Sequence, residues 1–450
     1  MADVPALSGE EIVRLCKQHT LFEWSAQGAV SPIPMVKAKG VFFWDAGGKR
    51  YLDFNSQLMC TNIGHGDERV IAAIKAQADT LTYASPYMAT EARARLGQKL
   101  AELAPGDLNK AFFTLGGAEA NENALKIARL VTGRQKVVVR YRSYHGGTAG
   151  AATLTGDPRR WAAEPGIPGV VRVLDPYQYR CSFCGDKPSC TLMCLRHIEE
   201  VVAYEGPQNI AAILMETVTG TNGILVPPDG YLQGVRDLCK KHGIMLILDE
   251  VMSGFGRTGK WFAADHWKVV PDLMTVAKGL TSAYLPLGAV LMSDAVAAHF
   301  EKNVFYGGLT YNSHPMSCAA ALATLKVYED DKLIENAAKL GQVLARELAR
   351  LKERHPSVGD VRSIGLFSIV ELVRDRKTRE PLAPFNARPD QMGAMAKLAA
   401  RFREDGLYTF VRWNNFFVNP PLCITEEQLR EGLAIIDRAL EVTDAAVTRA

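Results

Sequence analysis

Apolar runs that end in charged residues are the most informative pattern along this chain. Residues 244–248 form one such run, and it is followed directly by two carboxylates, Asp249 and Glu250. A run of this kind is typical of a strand buried on both faces of a parallel sheet. A second run, residues 273–277, ends in Lys278. Because open α/β sheets place their ligand sites at the carboxyl ends of strands, the pattern predicts an acid and a lysine on one edge of one sheet.

Strands and helices alternate through the middle of the chain. Further apolar strands are predicted at residues 112–114, 137–141 and 210–215, and each is followed by helical periodicity or a polar turn. This alternation predicts an α/β fold with a large, mostly parallel, doubly wound sheet of the seven-stranded type. Residues 41–54 predict a hairpin, and residues 56–66 predict an irregular loop of the kind that lines pockets.

The pattern of charged and apolar residues changes after the small-residue helix predicted at residues 318–327. A long charged amphipathic helix follows, then strand patterns around residues 365–372 and 411–418. We therefore expect a smaller α+β domain built from both termini. The predicted division is residues 1–60 for the N-terminal part of the small domain, 61–318 for the large domain, and 319–450 for the C-terminal part of the small domain.

The acid and the lysine at the sheet edge have different chemical implications. A carboxylate at the end of an apolar strand is costly to desolvate, so Asp249 should have a cationic partner. The alternative is that it only caps the next turn. A lysine at such an edge is unusual unless its amine is needed as a nucleophile, which favours a reactive role for Lys278.

A second chemical signal lies where the strand at residues 112–114 runs into Gly116 and Gly117 before a helix. Strand, glycine pair and helix N-terminus together favour an anion site, although a tight turn also uses glycine for steric reasons. The sequence fits neither a P-loop nor a dinucleotide fingerprint. Tyr144 and His145 follow the next strand, and Tyr144 is either part of this edge or an ordinary core aromatic.

Composition narrows the class of protein. Charged residues make up 22% of the 450 residues and the net charge is +3, without a basic run, so we expect neither nucleic acid nor an anionic membrane as a partner. The first 20 residues lack a secretory pattern, and no apolar window is long enough for a membrane span. Nine mostly scattered cysteines suit a reducing compartment, so a cytoplasmic protein is expected.

Taken together, the motifs give the chain a family resemblance over nearly its whole length. They are GGAEANENALKIAR at 116–129, YHGG at 144–147, DEVMSGFGRTG at 249–259, AKG at 277–279 and GGLTYNSHP at 307–315. In order and spacing the chain resembles the class III aminotransferases, enzymes of fold type I that use pyridoxal 5′-phosphate (PLP). Among them it is most similar to the ω-transaminases that use taurine, β-alanine or simple amines with pyruvate.

The resemblance implies roles for the residues of these motifs. Lys278 would hold PLP as a Schiff base and move the proton, and Asp249 would keep the pyridine nitrogen protonated. The remaining cofactor residues implied are Gly117 and Ala118 at the phosphate, Val251 and Tyr144 on the two ring faces, His145 in a structural role, Glu216 near the cofactor, and Thr310 at the partner subunit's phosphate. A homodimer with shared sites is therefore implied, and its pairing into a tetramer is left open.

Two departures from the family pattern concern this cofactor site. Thr217 stands where the family usually has proline, which leaves the hydrogen bonding of Glu216 open. Leu115 and Gly116 stand where Asn and Ser are common, so side chains should contribute less to phosphate binding.

The substrate side of the resemblance rests on one arginine and three pocket residues. Arg412 falls at the position of a mobile arginine that binds a substrate carboxylate, unless it is a surface residue beside Trp413. Leu58, Met59 and Tyr83 would line the pocket. The implied reaction moves an amino group from an ω-amino acid or amine to pyruvate or another 2-oxo acid. An aminomutase, a decarboxylating transaminase and a non-catalytic relative remain as alternatives.

One loop lies outside this catalytic interpretation. It carries Cys181, Cys184, Cys190 and Cys194 within 14 residues. Four thiolates in one loop could hold a structural Zn²⁺ ion or an iron–sulfur cluster, and the alternative is that the thiols are free or paired.

Overall fold

The structure is a computed structural model that describes residues 7–185 and 189–447. Its α-helices are α1 (Gly9–His19), α2 (Ser56–Met59), α3 (Glu68–Thr80), α4 (Glu91–Leu103), α5 (Gly117–Thr132), α6 (Ala149–Leu154), α7 (Met193–Glu205), α8 (Tyr231–His242), α9 (Asp294–His299), α10 (Pro315–Asp330), α11 (Leu333–Arg354), α12 (Gly393–Glu404) and α13 (Glu426–Asp444). Its strands are β1 (Met35–Lys39), β2 (Phe42–Asp45), β3 (Arg50–Asp53), β4 (Lys110–Thr114), β5 (Lys136–Arg140), β6 (Val170–Val173), β7 (Ile210–Glu216), β8 (Met245–Asp249), β9 (Leu273–Val276), β10 (Gly288–Met292), β11 (Val358–Ile364), β12 (Phe367–Asp375), β13 (Glu380–Pro381), β14 (Leu407–Tyr408), β15 (Val411–Arg412) and β16 (Asn415–Val418).

A seven-stranded sheet forms the centre of the molecule, in the order β4-β10-β9-β8-β7-β5-β6. Strands β5 to β9 pair in parallel, and β10 pairs antiparallel with both β4 and β9. The predicted α/β class with a large, mostly parallel sheet is confirmed. The antiparallel direction of β10 was not predicted, because an apolar run does not encode the direction of its neighbours.

The central strands are buried because their side chains are apolar on both faces. All residues of β7 and β9 are buried, and so are the last four residues of β8. The register of these strands sets Glu216 beside Asp249 and Asp249 beside Thr275. Lys278 follows β9 after a single residue, Ala277. The acid and the lysine therefore lie at the same edge of the sheet, as the apolar runs predicted.

Two smaller sheets combine segments from both ends of the chain. The hairpin β2–β3 was predicted, and it is flanked by β1, which was not, and by β14, which pairs in parallel with β3. The other sheet has the order β11-β12-β16-β15, with β13 on β12. The predicted α+β unit from both termini is thus present, while the boundaries at 1–60, 61–318 and 319–450 stay a prediction.

Some local predictions differ from the structure. The segment predicted as an irregular loop begins with the short helix α2, in which Gln57 has a φ of 55°. Strand β11 lies ahead of the pattern that was predicted at residues 365–372. Within the described residues, no helix combines the length and the apolar content that crossing a membrane requires.

Candidate active site

Asp249 is held at the sheet edge by donors from three elements. Its Oδ2 accepts a hydrogen bond from Asn121 Nδ2 at 2.8 Å and lies 2.8 Å from His145 Nδ1, while Oδ1 accepts from the Val251 N–H at 3.0 Å. Asn121 is itself fixed, because it accepts a bond from Thr275 Oγ1 at 2.8 Å and donates to the His145 carbonyl. A buried carboxylate with this many donors is fixed in orientation. His145 is thus in contact with Asp249, for which a cationic partner was expected.

Lys278 lies beside these acids in a strained backbone conformation. Its φ is 42°, in the left-handed region that a long side chain rarely adopts. Burial lowers the pKa of Lys278, and the charges of Cys60, Asp249 and Glu216 act in the opposite direction. Lowering the pKa of an amine increases its neutral, nucleophilic fraction. The environment thus suits the reactive role predicted for this lysine.

Glu216 is buried next to the same group of side chains. Its Oε1 accepts from the Tyr144 N–H at 3.0 Å and its Oε2 accepts from the Gly220 N–H at 2.7 Å. Burial raises the pKa of Glu216, and the charge of Asp249 acts in the same direction. Glu216 therefore has two backbone donors although Thr217 stands in place of the usual proline. The Thr217 N–H itself donates to the Asp249 carbonyl at 3.3 Å.

The glycine pair opens α5 directly beside this cluster. Gly117 and Ala118 are the first residues of the helix, so their N–H groups have no acceptor inside it. A Cβ on Gly117 would lie 2.9 Å from Val251 Cγ1, and one on Gly146 would lie 2.4 Å from Ala118 Cβ. The turn thus packs against both Val251 and the loop of His145. Unpaired N–H groups at a helix N-terminus favour an anion such as phosphate.

The guanidinium group of Arg159 lies over the ring of Tyr144. The guanidinium carbon of Arg159 lies 3.6 Å from the ring centroid, and Trp24 meets the ring edge-on at 5.9 Å. Arg159 also lowers the pKa of Lys278, although burial is the larger cause. Tyr144 is half-buried, so it is not the core aromatic that the alternative interpretation proposed.

Arg159 and Arg412 share one buried carboxylate. Asp157 Oδ2 accepts from Arg159 Nη2 at 2.6 Å, from Arg412 Nη2 at 3.1 Å and from Asn222 Nδ2 at 2.9 Å. Burial lowers the pKa of Arg412 to about 10, and the neighbouring Arg159 acts in the same direction. Arg412 is therefore not a free surface arginine, although its guanidinium does lie 4.1 Å from the Trp413 ring centroid.

Sequence reasoning missed Arg159, Asp157 and Trp24. Arg159 has no local signature, since an arginine after Asp157 and Pro158 is also typical of an ordinary helix start. Asn121 lies inside the recognised motif at 116–129 but was not given a role. Conservation in an alignment of relatives would have been the signal for Arg159, Asp157, Trp24 and Asn121.

The predicted pocket residues occupy different environments. Tyr83 is exposed, and its hydroxyl donates to the Thr310 carbonyl at 2.9 Å. Leu58 is 52% exposed. Met59 is buried and packs with Val218 and Met252 in a small apolar cluster. The structure brings Tyr83 and Thr310 together, and the roles of all four residues stay predictions.

The four cysteines of the loop between β6 and α7 lie together but not as metal ligands. They line one cavity of about 180 Å³. Across residues 7–185 and 189–447, no group of three or more His, Cys, Asp or Glu side chains is arranged to hold a metal ion. The prediction of Zn²⁺ or an iron–sulfur cluster thus gains no support from the geometry.

Comparisons with known proteins agree with these features. A family model described as Aminotransferase class-III matches residues 24–440. The solved structure of taurine:2-oxoglutarate aminotransferase from Bifidobacterium kashiwanohense, in complex with PLP and glutamate, is 41% identical, with 99% of this chain and 100% of that chain covered and a TM-score of 0.94. An (S)-enantioselective omega-transaminase from Thermomicrobium roseum is 37% identical, with 97% and 99% covered and a TM-score of 0.91. A leucine/methionine racemase from Thermococcus litoralis is 36% identical over 96% of this chain and 95% of its own.

Proposed function

The chain belongs to the class III aminotransferases, and we propose that it moves the amino group of an acidic ω-amino compound, of the taurine or β-alanine type, to pyruvate or another 2-oxo acid. The observation that carries the proposal is the arginine pair on Asp157. Two guanidinium groups share one carboxylate, so the cluster keeps an excess positive charge beside Tyr144. A carboxylate or sulfonate of the substrate would neutralise this charge.

The residues at the sheet edge fit PLP, the cofactor of the family. Asp249 has its orientation fixed and would accept a hydrogen bond from the ring nitrogen. Gly117 and Ala118 would bind the phosphate through their N–H groups, and Tyr144 and Val251 would flank the ring. When bound, PLP supplies a carbonyl that accepts the amino group and a ring that stabilises negative charge on the substrate carbon.

Lys278 would anchor the cofactor and then move the proton of the substrate carbon. This role needs an amine that is neutral for part of the time, and burial lowers its pKa in that direction. Glu216 and Asp249 would keep the neighbouring groups aligned, because both carboxylates are tied to backbone or side-chain donors.

Arg412 and Arg159 would divide the work of substrate binding. Arg412 comes from β15, at the far end of the chain, and reaches Asp157 from the small sheet. Arg159 is fixed more firmly, since it also donates to Thr221 Oγ1 at 2.8 Å. We therefore assign Arg159 as the permanent contact for the acid group and Arg412 as the group that can exchange Asp157 for a second substrate carboxylate. The relative named as a taurine:2-oxoglutarate aminotransferase supports a site that takes acidic substrates, because both compounds in its name carry an acid group.

A donor panel tests the proposal. Taurine, β-alanine, γ-aminobutyrate and an uncharged monoamine are assayed with pyruvate and with 2-oxoglutarate, and the new amino acid is quantified. The expected result is a higher kcat/KM for the acidic donors by about 10-fold or more, the range of a hydrogen bond to a charged group. Equal or better turnover of the monoamine would contradict it.

A racemase-type reaction is the second candidate, because one relative that matches nearly the whole chain is a leucine/methionine racemase. The two reactions differ in their need for an acceptor. A racemase converts one enantiomer of an amino acid without any 2-oxo acid, whereas a transaminase forms alanine or glutamate only when the matching acceptor is present. Chiral chromatography of both incubations separates them.

We also propose a homodimer in which Thr310 completes the partner's site. Thr310 is exposed and lies beside Tyr83, and Tyr87 and Tyr306 nearby in sequence are also exposed, at 98% and 73%. Exposed aromatics of this kind are typical of subunit interfaces. Light scattering gives the mass, and a tetramer would appear as twice the dimer. Mixed dimers of Lys278→Ala and Thr310→Ala subunits should regain activity, since one of their two sites is then complete.

A further inference from the structure

Within residues 7–185 and 189–447, a single hydrogen bond holds the guanidinium group of Arg412. Its Nη2 donates to Asp157 Oδ2 at 3.1 Å, and its Nε is buried without a hydrogen-bond partner in that part of the chain. Nε and Nη2 form one edge of a guanidinium group, and a carboxylate can accept from both donors of such an edge. Asp157 thus uses half of an edge that a substrate carboxylate would use in full.

The second support of Arg412 is the indole ring of Trp413. The guanidinium carbon lies 4.1 Å from the ring centroid, which is a close cation–π contact. Trp413 is buried and has a φ of 52°, a backbone conformation that a large side chain rarely adopts. The Leu372 N–H donates to the carbonyl of the next residue, Asn414, at 2.7 Å, which fixes the turn. A strained but fixed backbone therefore presents the ring to Arg412.

Phe385 packs against Trp413 from the loop between β13 and α12. The two ring centroids are 4.4 Å apart, with an angle of 56° between the ring planes. Phe385 is 47% exposed, so burial of its own ring does not explain its position. The Ala387 N–H donates to the Pro384 carbonyl at 3.1 Å, which closes a turn around Phe385. The loop thus holds an aromatic ring at the surface against the tryptophan.

Arg142 closes a circle of contacts that returns to Arg412. Its guanidinium carbon lies 4.8 Å from the Phe385 ring centroid, and its Nη1 donates to the Asn222 carbonyl at 3.4 Å. Asn222 Nδ2 in turn donates at 2.9 Å to Asp157 Oδ2, the atom that accepts from Arg412. Arg412 is therefore reached from two sides, through the aromatic rings and through Asp157.

We propose that Trp413 and Phe385 form an aromatic platform that positions Arg412 for a second acid group of the substrate. In the proposed function, on which this inference rests, Arg412 exchanges Asp157 for a substrate carboxylate. The guanidinium group stays on the indole ring during this exchange, and only its hydrogen-bond partner changes. Trp413 and Phe385 are thus positioning residues that set the preference for substrates with two acid groups.

The aromatic platform acts on substrate binding and not on the chemical step. When Asp157 releases Arg412, its Oδ2 still accepts from Arg159 and Asn222, so the carboxylate is not left unpaired. Without the indole ring, Arg412 has several rotamers in the free enzyme, and the substrate must immobilise the side chain when it binds. Loss of the ring therefore weakens the affinity for substrates with two acid groups.

Steady-state kinetics of the PLP-loaded enzyme with two acceptors test the proposal. 2-Oxoglutarate carries a second acid group and pyruvate does not, so the ratio of their KM values reports on Arg412. We expect Trp413→Leu to raise KM for 2-oxoglutarate by about 5- to 30-fold, the range of a cation–π contact. Phe385→Leu should act in the same direction by a smaller factor. In both variants kcat and the KM for pyruvate should stay unchanged.

Further variants and a binding assay separate stacking from mere bulk. Trp413→Phe and Phe385→Tyr retain a ring and should keep most of the preference. Arg388→Gln, in the same loop as Phe385, is the matched control, because Arg388 pairs with Asp390 at the surface. Competitive inhibition by glutarate, which has two acid groups, and by butyrate, which has one, gives the same comparison without turnover. Retention of the PLP absorption band and of the circular dichroism spectrum shows that each variant is folded.

Arg412→Gln distinguishes failure of this inference from failure of the proposed function. If Arg412→Gln loses the preference for 2-oxoglutarate and glutarate while both leucine variants keep it, the platform is wrong and the role of Arg412 stands. If Arg412→Gln keeps the preference, or the wild-type enzyme has none, both are wrong. Equal losses with the two acceptors in the leucine variants would mean that the rings are only structural, which also overturns the inference.

Discussion

The chemistry of this site depends on a few residues whose surroundings alter their ordinary behaviour. Lys278 sits in a strained conformation with a lowered pKa, and Asp249 is buried with donors on both oxygens. Arg159 and Arg412 are stacked or buried cations that share Asp157. Backbone strain and buried charge cost stability, and they are concentrated at functional sites. Each of these residues has its own contacts, so we expect single substitutions to affect substrate binding and catalysis separately.

Replacement of the lysine is the first prediction at this scale. Lys278→Ala should lower kcat by about 10³-fold or more, because the proton carrier is lost, while PLP still binds through its phosphate and Asp249. Half-reaction rates with a preferred donor and a PLP titration measure both effects. Lys268→Ala, an exposed lysine in the preceding loop, is the control. Retained turnover would rule out the assigned role.

The second prediction at this scale concerns Arg159, the arginine that lies over the ring of Tyr144. Arg159→Gln should raise KM for taurine or β-alanine by about 10- to 100-fold, the value of a hydrogen bond to a charged group. Turnover of an uncharged monoamine should change little. Arg160→Gln is the matched control, because this neighbouring arginine forms its ion pair with Glu164 and reaches Asp157 only at the backbone carbonyl, at 3.5 Å. Equal losses with both donor classes would mean that Arg159 is only structural.

At the scale of elements, α5 ties three strands of the central sheet together. Asn121 on this helix contacts Asp249 at the end of β8, Thr275 on β9 and the His145 carbonyl after β5. The same helix begins at the glycine turn that would bind phosphate. One helix thus sets both ends of the cofactor site, and a polar side chain in its buried face couples them.

Substitution of this side chain tests the coupling. Asn121→Ala should weaken PLP binding and lower kcat by about 10- to 100-fold, since supporting partners of a fixed ligand have effects of this size. Asn123→Ala is the control on the same helix, because its amide donates only to the Glu119 carbonyl one turn earlier. Fluorescence titration of the apoenzyme with PLP gives the affinity. Similar effects of the two variants would argue against a specific role for Asn121.

At the scale of the whole molecule, Arg257 connects the central sheet to segments from both termini. Its guanidinium donates to Ser56 Oγ and Asn62 Oδ1 on one side and to the carbonyls of Leu366 and Pro420 on the other. The side chain is fully buried, and burial lowers its pKa to about 10. A cation paired with four neutral acceptors is costly to bury, but it fixes the three segments relative to one another.

Arg257→Met should therefore lower the free energy of unfolding by about 2–4 kcal/mol, because the acceptors lose their donor in a buried place. Urea unfolding followed by circular dichroism measures the change. Arg430→Met is the control, since that arginine pairs with Glu426 and Glu347 on the surface. An unchanged midpoint for Arg257→Met would show that the connection does not contribute to stability.

The sequence by itself determined the class of fold and the residues at the sheet edge. Buried parallel strands are continuous apolar runs, so β7, β8 and β9 and the charged residues that end them could be located from local pattern. The ordered motifs determined the family. Predictions failed where the pattern is weak, as at β1, which is mostly exposed, and at β11.

Tertiary structure decided which distant residues meet. Arg412 and Arg159 are far apart in the chain, yet both contact Asp157, and Arg257 joins segments that lie near opposite ends. Local periodicity records burial and not the identity of a neighbour, so these contacts exist only once the sheets have packed. The four cysteines show the same limit: their spacing suggested a metal, but across residues 7–185 and 189–447 no group of three or more His, Cys, Asp or Glu side chains is arranged to hold one.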